Sequence, residues 1–135
     1  MIWRFAASDA VSARRSRHEF LSALQEAGCP DTDLYSAEII FGELLGNAAR
    51  HASGPVAVEL RCTKGQATLS VHDKGGGFQI SPELPDAFAE YGRGLYLVNK
   101  LAKRVTVRRS KTGGTRVTVT LPVALPHTLN SIDST

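Results

Sequence analysis

Cysteine is scarce in this chain, and the scarcity removes whole classes of protein. Cys29 and Cys62 are the only two. They follow no metal-ligand spacing and fall in different expected settings, a helix end and a strand. Neither a zinc cluster nor a disulfide framework is expected, and reduced thiols in a cytoplasmic protein are. Long apolar runs are missing too: none approaches the ~18 residues of a membrane span, and no charged leader with an apolar run precedes the domain. A soluble chain with no membrane partner is expected. No Gly-x-x-x-x-Gly-Lys-Ser/Thr loop occurs, and Gly92-Arg93-Gly94 lacks the third glycine of a dinucleotide fingerprint, so the common nucleotide folds are unsupported. A strong charge imbalance is absent as well. Sixteen Lys and Arg against thirteen Asp and Glu leave +3, too little to demand nucleic acid. Arg14, Arg15, Arg17, Lys103, Arg104, Arg108 and Arg109 accompany no nucleic-acid motif and read as solvated faces, so no direct nucleic-acid contact is expected.

What is present describes one ordinary domain. At 135 residues, 42% hydrophobic and 21% charged, the chain can bury roughly two-thirds of its unfolded surface without staples. Met1–Ala7 reads as a short strand, with Ile2 and Phe5 seeking cover. Ser8 or Asp9 offers an N-cap for a helix lasting to about Ala27, closed by Gly28 and Pro30. Asp31 or Thr32 caps a second helix that runs to His51. A hairpin follows, Val56–Thr63 and Gln66–Asp73 about a Lys64-Gly65 turn, both arms alternating as half-buried strands do. Lys74–Tyr91 has no sustained period and two prolines, and reads as a lid. A helix is expected from about Leu95 to Lys103, then a second hairpin, Val105–Ser110 and Thr115–Leu121. The domain is placed at residues 1–122, and 123–135 is expected to be a disordered tail.

Three places carry polar groups where a bland core would have none. In the second helix Glu43, Asn47 and His51 recur at i, i+4, i+8, about 100° round from the apolar stripe. Taken alone, that stripe is more simply a polar helix flank. Asp73 shares the inward parity of Ala67, Leu69 and Val71, and a carboxylate on a core face is costly without a partner. Thr115 shares the parity of Val117, Val119 and Leu121. The element order suggests an α+β fold. It would be a two-layer sandwich, a mixed and mostly antiparallel sheet with three helices on one face. Asp73, Thr115 and the Glu43/Asn47 stripe would then share the layer between sheet and helices.

In order along the chain stand Glu43-x-x-x-Asn47, Asp73-x-Gly75-x-Gly77, Gly92-Arg93-Gly94-Leu95 and Gly113-Gly114-Thr115-x-Val117-x-x-x-Leu121-Pro122. Together they resemble the four boxes of the GHKL (Bergerat-fold) ATPase/kinase superfamily, which includes gyrase, Hsp90, MutL and the histidine kinases. The likeness covers about residues 8–122. Within it the chain is most similar to anti-sigma-factor serine/threonine kinases of the RsbW/SpoIIAB type, through Glu43–His51, the helix from Ala13 and Gly92–Val98.

The resemblance implies an ATP- and Mg²⁺-dependent protein serine kinase. Asp73 would accept the N6 hydrogen of adenine, helped by Thr115 and a water, and Gly75 and Gly77 would let the backbone approach base and ribose. Gly92, Arg93 and Gly94, leading into Leu95, would present N–H groups to phosphates. Asn47 would hold Mg²⁺ and Glu43 would be the catalytic base. The implied partners are an anti-anti-sigma (STAS-type) substrate, a sigma factor and a second copy of the chain. Two readings compete. A histidine-kinase catalytic domain would need roughly 60 residues before the asparagine box for its dimerising helices, and 46 precede Asn47. A binding module that uses ATP only to hold its partner would have no need of a base at Glu43.

Overall fold

The computed structural model of the chain describes residues 1–51, 54–73, 92–109 and 114–126. Its elements run β1 (Ile2–Ala6), α1 (Ala10–Glu26), α2 (Asp31–His51), β2 (Pro55–Thr63), β3 (Gln66–Asp73), α3 (Gly92–Leu101), β4 (Arg104–Arg109) and β5 (Thr115–Thr120). The five strands form one sheet in the order β1-β2-β3-β5-β4, and each of its four pairings is antiparallel. The α+β sandwich is therefore as expected from the element order. The segment 74–91, read above as a lid, lies outside the described residues, as do Gly75 and Gly77.

Local chemistry sets each element. Asp9 caps α1, its Oδ1 accepting the Ser12 N–H at 3.0 Å and its Oδ2 the Ser12 hydroxyl at 2.7 Å. These bonds favour the carboxylate and hold its pKa below the usual value. Gly28 ends α1 with φ +93°, while the Gly28 N–H bonds to the Gln25 carbonyl and the Cys29 N–H to the Leu24 carbonyl. That is a Schellman ending, which needs a left-handed residue there. Asp31 and Asp33 stand in the first turn of α2, where the helix dipole favours negative charge. Lys64 and Gly65, at φ 52° and 78°, make the tight β2–β3 turn.

The inner face of the sheet is continuous in register. Val56, Val58, Leu60 and Cys62 on β2 meet Val71, Leu69 and Ala67 on β3, which meet Val117 and Val119 on β5. Phe20 of α1 and Phe41 of α2 stack at 4.7 Å between ring centroids, and Trp3 of β1 meets Phe41 edge-on at 6.5 Å. Leu95 and Val98 bring α3 into the same cluster.

Two boundaries differ from the sequence reading. In β1 the inward residues are Trp3 and Phe5, and Ile2 is exposed, because pairing sets Phe5 opposite buried Val56 and Trp3 opposite Val58. The tail does not begin at 123. Val123 is buried, Leu125 packs on the core, and the Ala124 N–H donates to Asp33 Oδ2 at 3.0 Å. A Cβ on Gly28 would stand 2.8 Å from Pro126, so residues 123–126 close over the α1–α2 corner. The packed domain extends at least to Pro126, and residues 127–135 lie outside the described set.

Candidate functional site

α2 carries the polar stripe along the flank of its buried face. Ala37, Ile40, Phe41, Leu44 and Ala48 are buried in the core, while Glu43 is half-buried and Asn47 is 3% exposed. Arg50, one turn beyond Asn47 and exposed itself, donates from Nη2 to Asn47 Oδ1 at 2.5 Å. Only the oxygen of a carboxamide can accept from a guanidinium, so this bond fixes which way the amide faces. Asn47 Nδ2 is left buried with no partner among the described residues.

The sheet presents its polar pair from two adjacent strands. Asp73, the last residue of β3, stands directly opposite Thr115, the first residue of β5. Both lie on the helix-facing side, with Asp73 9% and Thr115 2% exposed. Thr115 Oγ1 is buried and also lacks a partner among the described residues. Leaving a buried donor or acceptor unsatisfied costs ~1–3 kcal/mol each. Two such atoms, one on α2 and one on β5, are buried without a partner among the described residues.

The third part is the start of α3. The helix begins at Gly92, earlier than the Leu95 expected from sequence, so Gly92, Arg93 and Gly94 form its first turn. The first N–H groups of a helix have no intrahelical acceptor and sit at the positive end of its dipole, a seat for an anion. Leu95, immediately after, is fully buried and anchors that turn to the core.

Thus the structure brings Glu43, Asn47, Asp73, Thr115 and Leu95 to the helix–sheet layer, with the backbone of 92–94 opening α3. Among the described residues no cluster of three or more His, Cys, Asp or Glu could hold a metal on its own. The bond from Arg50 to Asn47 was not read from the sequence, although i, i+3 spacing on a helix allows it. A cavity of about 340 Å³ was also missed. It lies between β1, α1 and α2 against Phe5, Arg14, Arg17, Gly42 and Gly46, and is lined by none of Glu43, Asn47, Asp73, Leu95 and Thr115. Burial, and secondarily the Asp33 carboxylate, push the Cys29 thiol up to about 11, so it stays protonated at neutral pH. No helix among the described residues is long and apolar enough to cross a membrane.

Comparison with known proteins places this geometry. The profile of the histidine kinase-like ATPase domain matches residues 5–121. No curated protein matches. Thirteen chains of known structure do. Among them is the crystal structure of the RsbU and RsbW domains of Rv1364c from Mycobacterium tuberculosis. It is 19% identical with a TM-score of 0.61, over 97% of this chain and 35% of that one. The chain thus spans about a third of that neighbour, and at this identity the likeness speaks for the fold. The family match covers most of the sequence and all the residues assembled above, and by it the chain belongs to the histidine kinase-like ATPase domain family, an ATP-binding, kinase-like domain.

Proposed function

We propose that this domain is an anti-sigma-factor protein serine/threonine kinase, transferring the γ-phosphoryl group of Mg²⁺-ATP to an anti-anti-sigma partner of the STAS type. In this reading it works as a homodimer and sequesters a sigma factor when the partner is phosphorylated. The likeness to a structure that includes an RsbW domain supports the class. The observation that carries the chemistry is Glu43, half-buried one helical turn before buried Asn47 on the flank of α2.

The residues fit the nucleotide. Adenine offers a donor at N6, which suits the Asp73 carboxylate, and the Thr115 hydroxyl, without a partner among the described residues, stands beside it to complete the edge through a water. The first turn of α3 supplies N–H donors for phosphate oxygens. Mg²⁺ is a hard cation that takes few protein ligands alongside phosphates and waters, so Asn47 Oδ1 would hold it once the Arg50 guanidinium that donates to that oxygen gives way. Bound there, it would neutralise charge on the phosphates. Glu43 accepts the proton of the serine hydroxyl as its oxygen bonds to phosphorus and ADP departs. Positioning and charge stabilisation dominate phosphoryl transfer, so such a base contributes about 10²–10⁴-fold.

The test is single-turnover transfer from labelled ATP to a purified STAS-type partner, run beside an ATP-binding assay. Label on the partner should survive acid, as a phosphoserine does and a phosphohistidine does not. Glu43→Gln keeps the shape and removes the base, so it should bind ATP normally and transfer at least about a hundredfold more slowly. Transfer at the unaltered rate would remove Glu43 from the chemistry. Acid-labile label would favour the histidine-kinase reading instead.

A further inference from the structure

The face of the sheet turned away from the helices carries positive charge in ordered rows. Arg108 on β4 stands directly opposite Arg116 on β5, which stands opposite His72 on β3. Arg4 on β1 continues the row beyond Ala57 on β2. Four residues along the strands a second row begins with Arg61 on β2 and ends with Arg104 on β4, across Thr68 and Thr120. The strand rise puts the two rows ~13 Å apart. Between them lies a row of Ile2, Glu59, Ser70, Thr118 and Thr106, in which the Ser70 and Thr118 hydroxyls bond to each other at 3.2 Å. Glu59 is the one carboxylate that the described strands turn to this side, with Arg61 Nε 3.2 Å away.

Like charges directly opposite on neighbouring strands destabilise a sheet. Arg108 and Arg116 bear that cost without contributing to the core, and their fields add over a flat polar surface. All five fixed cations are arginine, although lysine is available elsewhere in the chain. Arginine grips carboxylates in a bidentate fork, gives up its hydration more readily than lysine, and is enriched in protein interfaces.

We infer that this open sheet face is a docking surface for an acidic, carboxylate-rich segment of a partner protein. Other occupants fit the face less well. Among the described residues it presents no Phe, Tyr or Trp on which bases could stack, as single-stranded nucleic acid requires. Five strands at ~4.8 Å spacing extend ~19 Å, too broad for a ~12 Å major groove. A second copy of the chain docked by the same face would set arginine against arginine across the two-fold axis. The inference does not depend on the nucleotide site, which lies on the helix-facing side.

The test is fluorescence anisotropy of a labelled poly-glutamate peptide, with a labelled oligo-thymidine strand as the alternative probe. Arg108→Glu/Arg116→Glu is the test variant. Arg14→Glu/Arg17→Glu, on α1, is a control of equal net charge. The peptide should bind the unaltered domain with an affinity that falls as salt rises, and the sheet variant should weaken it about tenfold or more. The α1 variant should bind nearly as the unaltered domain does. The sheet variant keeps a like-charged pair of opposite sign on exposed positions, so its melting temperature should change little. If it does not fold, Arg108→Gln/Arg116→Gln makes the same comparison. Equal loss in both variants would reduce the effect to net charge and overturn the inference. So would an oligo-thymidine strand that binds as tightly through the same two arginines.

Discussion

Ser16 and Asn47 are buried polar residues on neighbouring helices, 2% and 3% exposed, yet only Ser16 has its side-chain bonding completed among the described residues. Ser16 Oγ donates to the Ala13 carbonyl at 2.9 Å, within its own helix. Asn47 turns its oxygen to Arg50 and leaves Nδ2 without a partner among the described residues, as Thr115 leaves its hydroxyl. The contrast extends to the two ends of the helix–sheet layer. At the α1–α2 corner, Gly28, Cys29 and Val123 close the core, and the Ala124 N–H bonds to the Asp33 carboxylate. At the other end, where β3 finishes and β5 starts, the buried Thr115 hydroxyl has no partner among the described residues.

The sharpest way to break that comparison is to remove the closed end. A chain ending at Pro122 loses the buried Val123, the packed Leu125 and the Ala124–Asp33 bond. Burial of one aliphatic side chain and one hydrogen bond together suggest a loss of about 2–4 kcal/mol in urea unfolding. ATP affinity of the folded protein should hold. An unchanged unfolding midpoint would mean that residues 123–126 do not close the corner.

The open end should respond in the opposite sense. Thr115→Val keeps the shape and deletes a hydroxyl that has no partner among the described residues, so the nucleotide-free domain should gain about 1 kcal/mol while ATP binds more weakly. Ser16→Ala, by contrast, removes a satisfied bond and should lose about 1 kcal/mol. A Thr115→Val protein that melts lower than the unaltered one would show that the hydroxyl has a partner within the fold.

How much of this was legible in the sequence follows from which forces are local. The β2–β3 hairpin was, because period-two alternation and a Lys-Gly turn are written in adjacent residues. The shared parity of Asp73 and Thr115 followed from the same alternation. The inward residues of β1 were not legible, since Ile2 and Trp3 are both apolar neighbours and only pairing with β2 chooses between them. The start of α3 was placed too late because two glycines disfavour helix locally, whereas packing of Leu95 and Val98 holds the first turn in place. Val123 and Leu125 have no period because an extended segment packing on a distant corner needs none. At the site, residue types and order were readable, and the Arg50 grip on Asn47 was not, because charge runs seldom reveal their partners.

The smallest expected effect returns to the closed end and is a pH dependence. The folded pKa of Cys29 is raised from 9.0 to about 11, mainly by burial. Its contribution is therefore fully present below pH 9 and lost as pH rises towards 11, because the unfolded thiol ionises first. Cys29→Ala should flatten the fall in stability over that window. An equally steep fall in the variant would assign it to other groups.

The central claim is that Asp73 and Thr115, side by side on β3 and β5, read the adenine edge. Calorimetry of the unaltered domain with ATP and with GTP tests it most directly. Guanine presents an acceptor where adenine presents its N6 donor, and a buried carboxylate facing an acceptor leaves both unsatisfied. The account predicts that ATP binds and GTP binds at least about a hundredfold more weakly, and that Asp73→Asn loses ATP while keeping its fold. Equal affinity for the two nucleotides would contradict it.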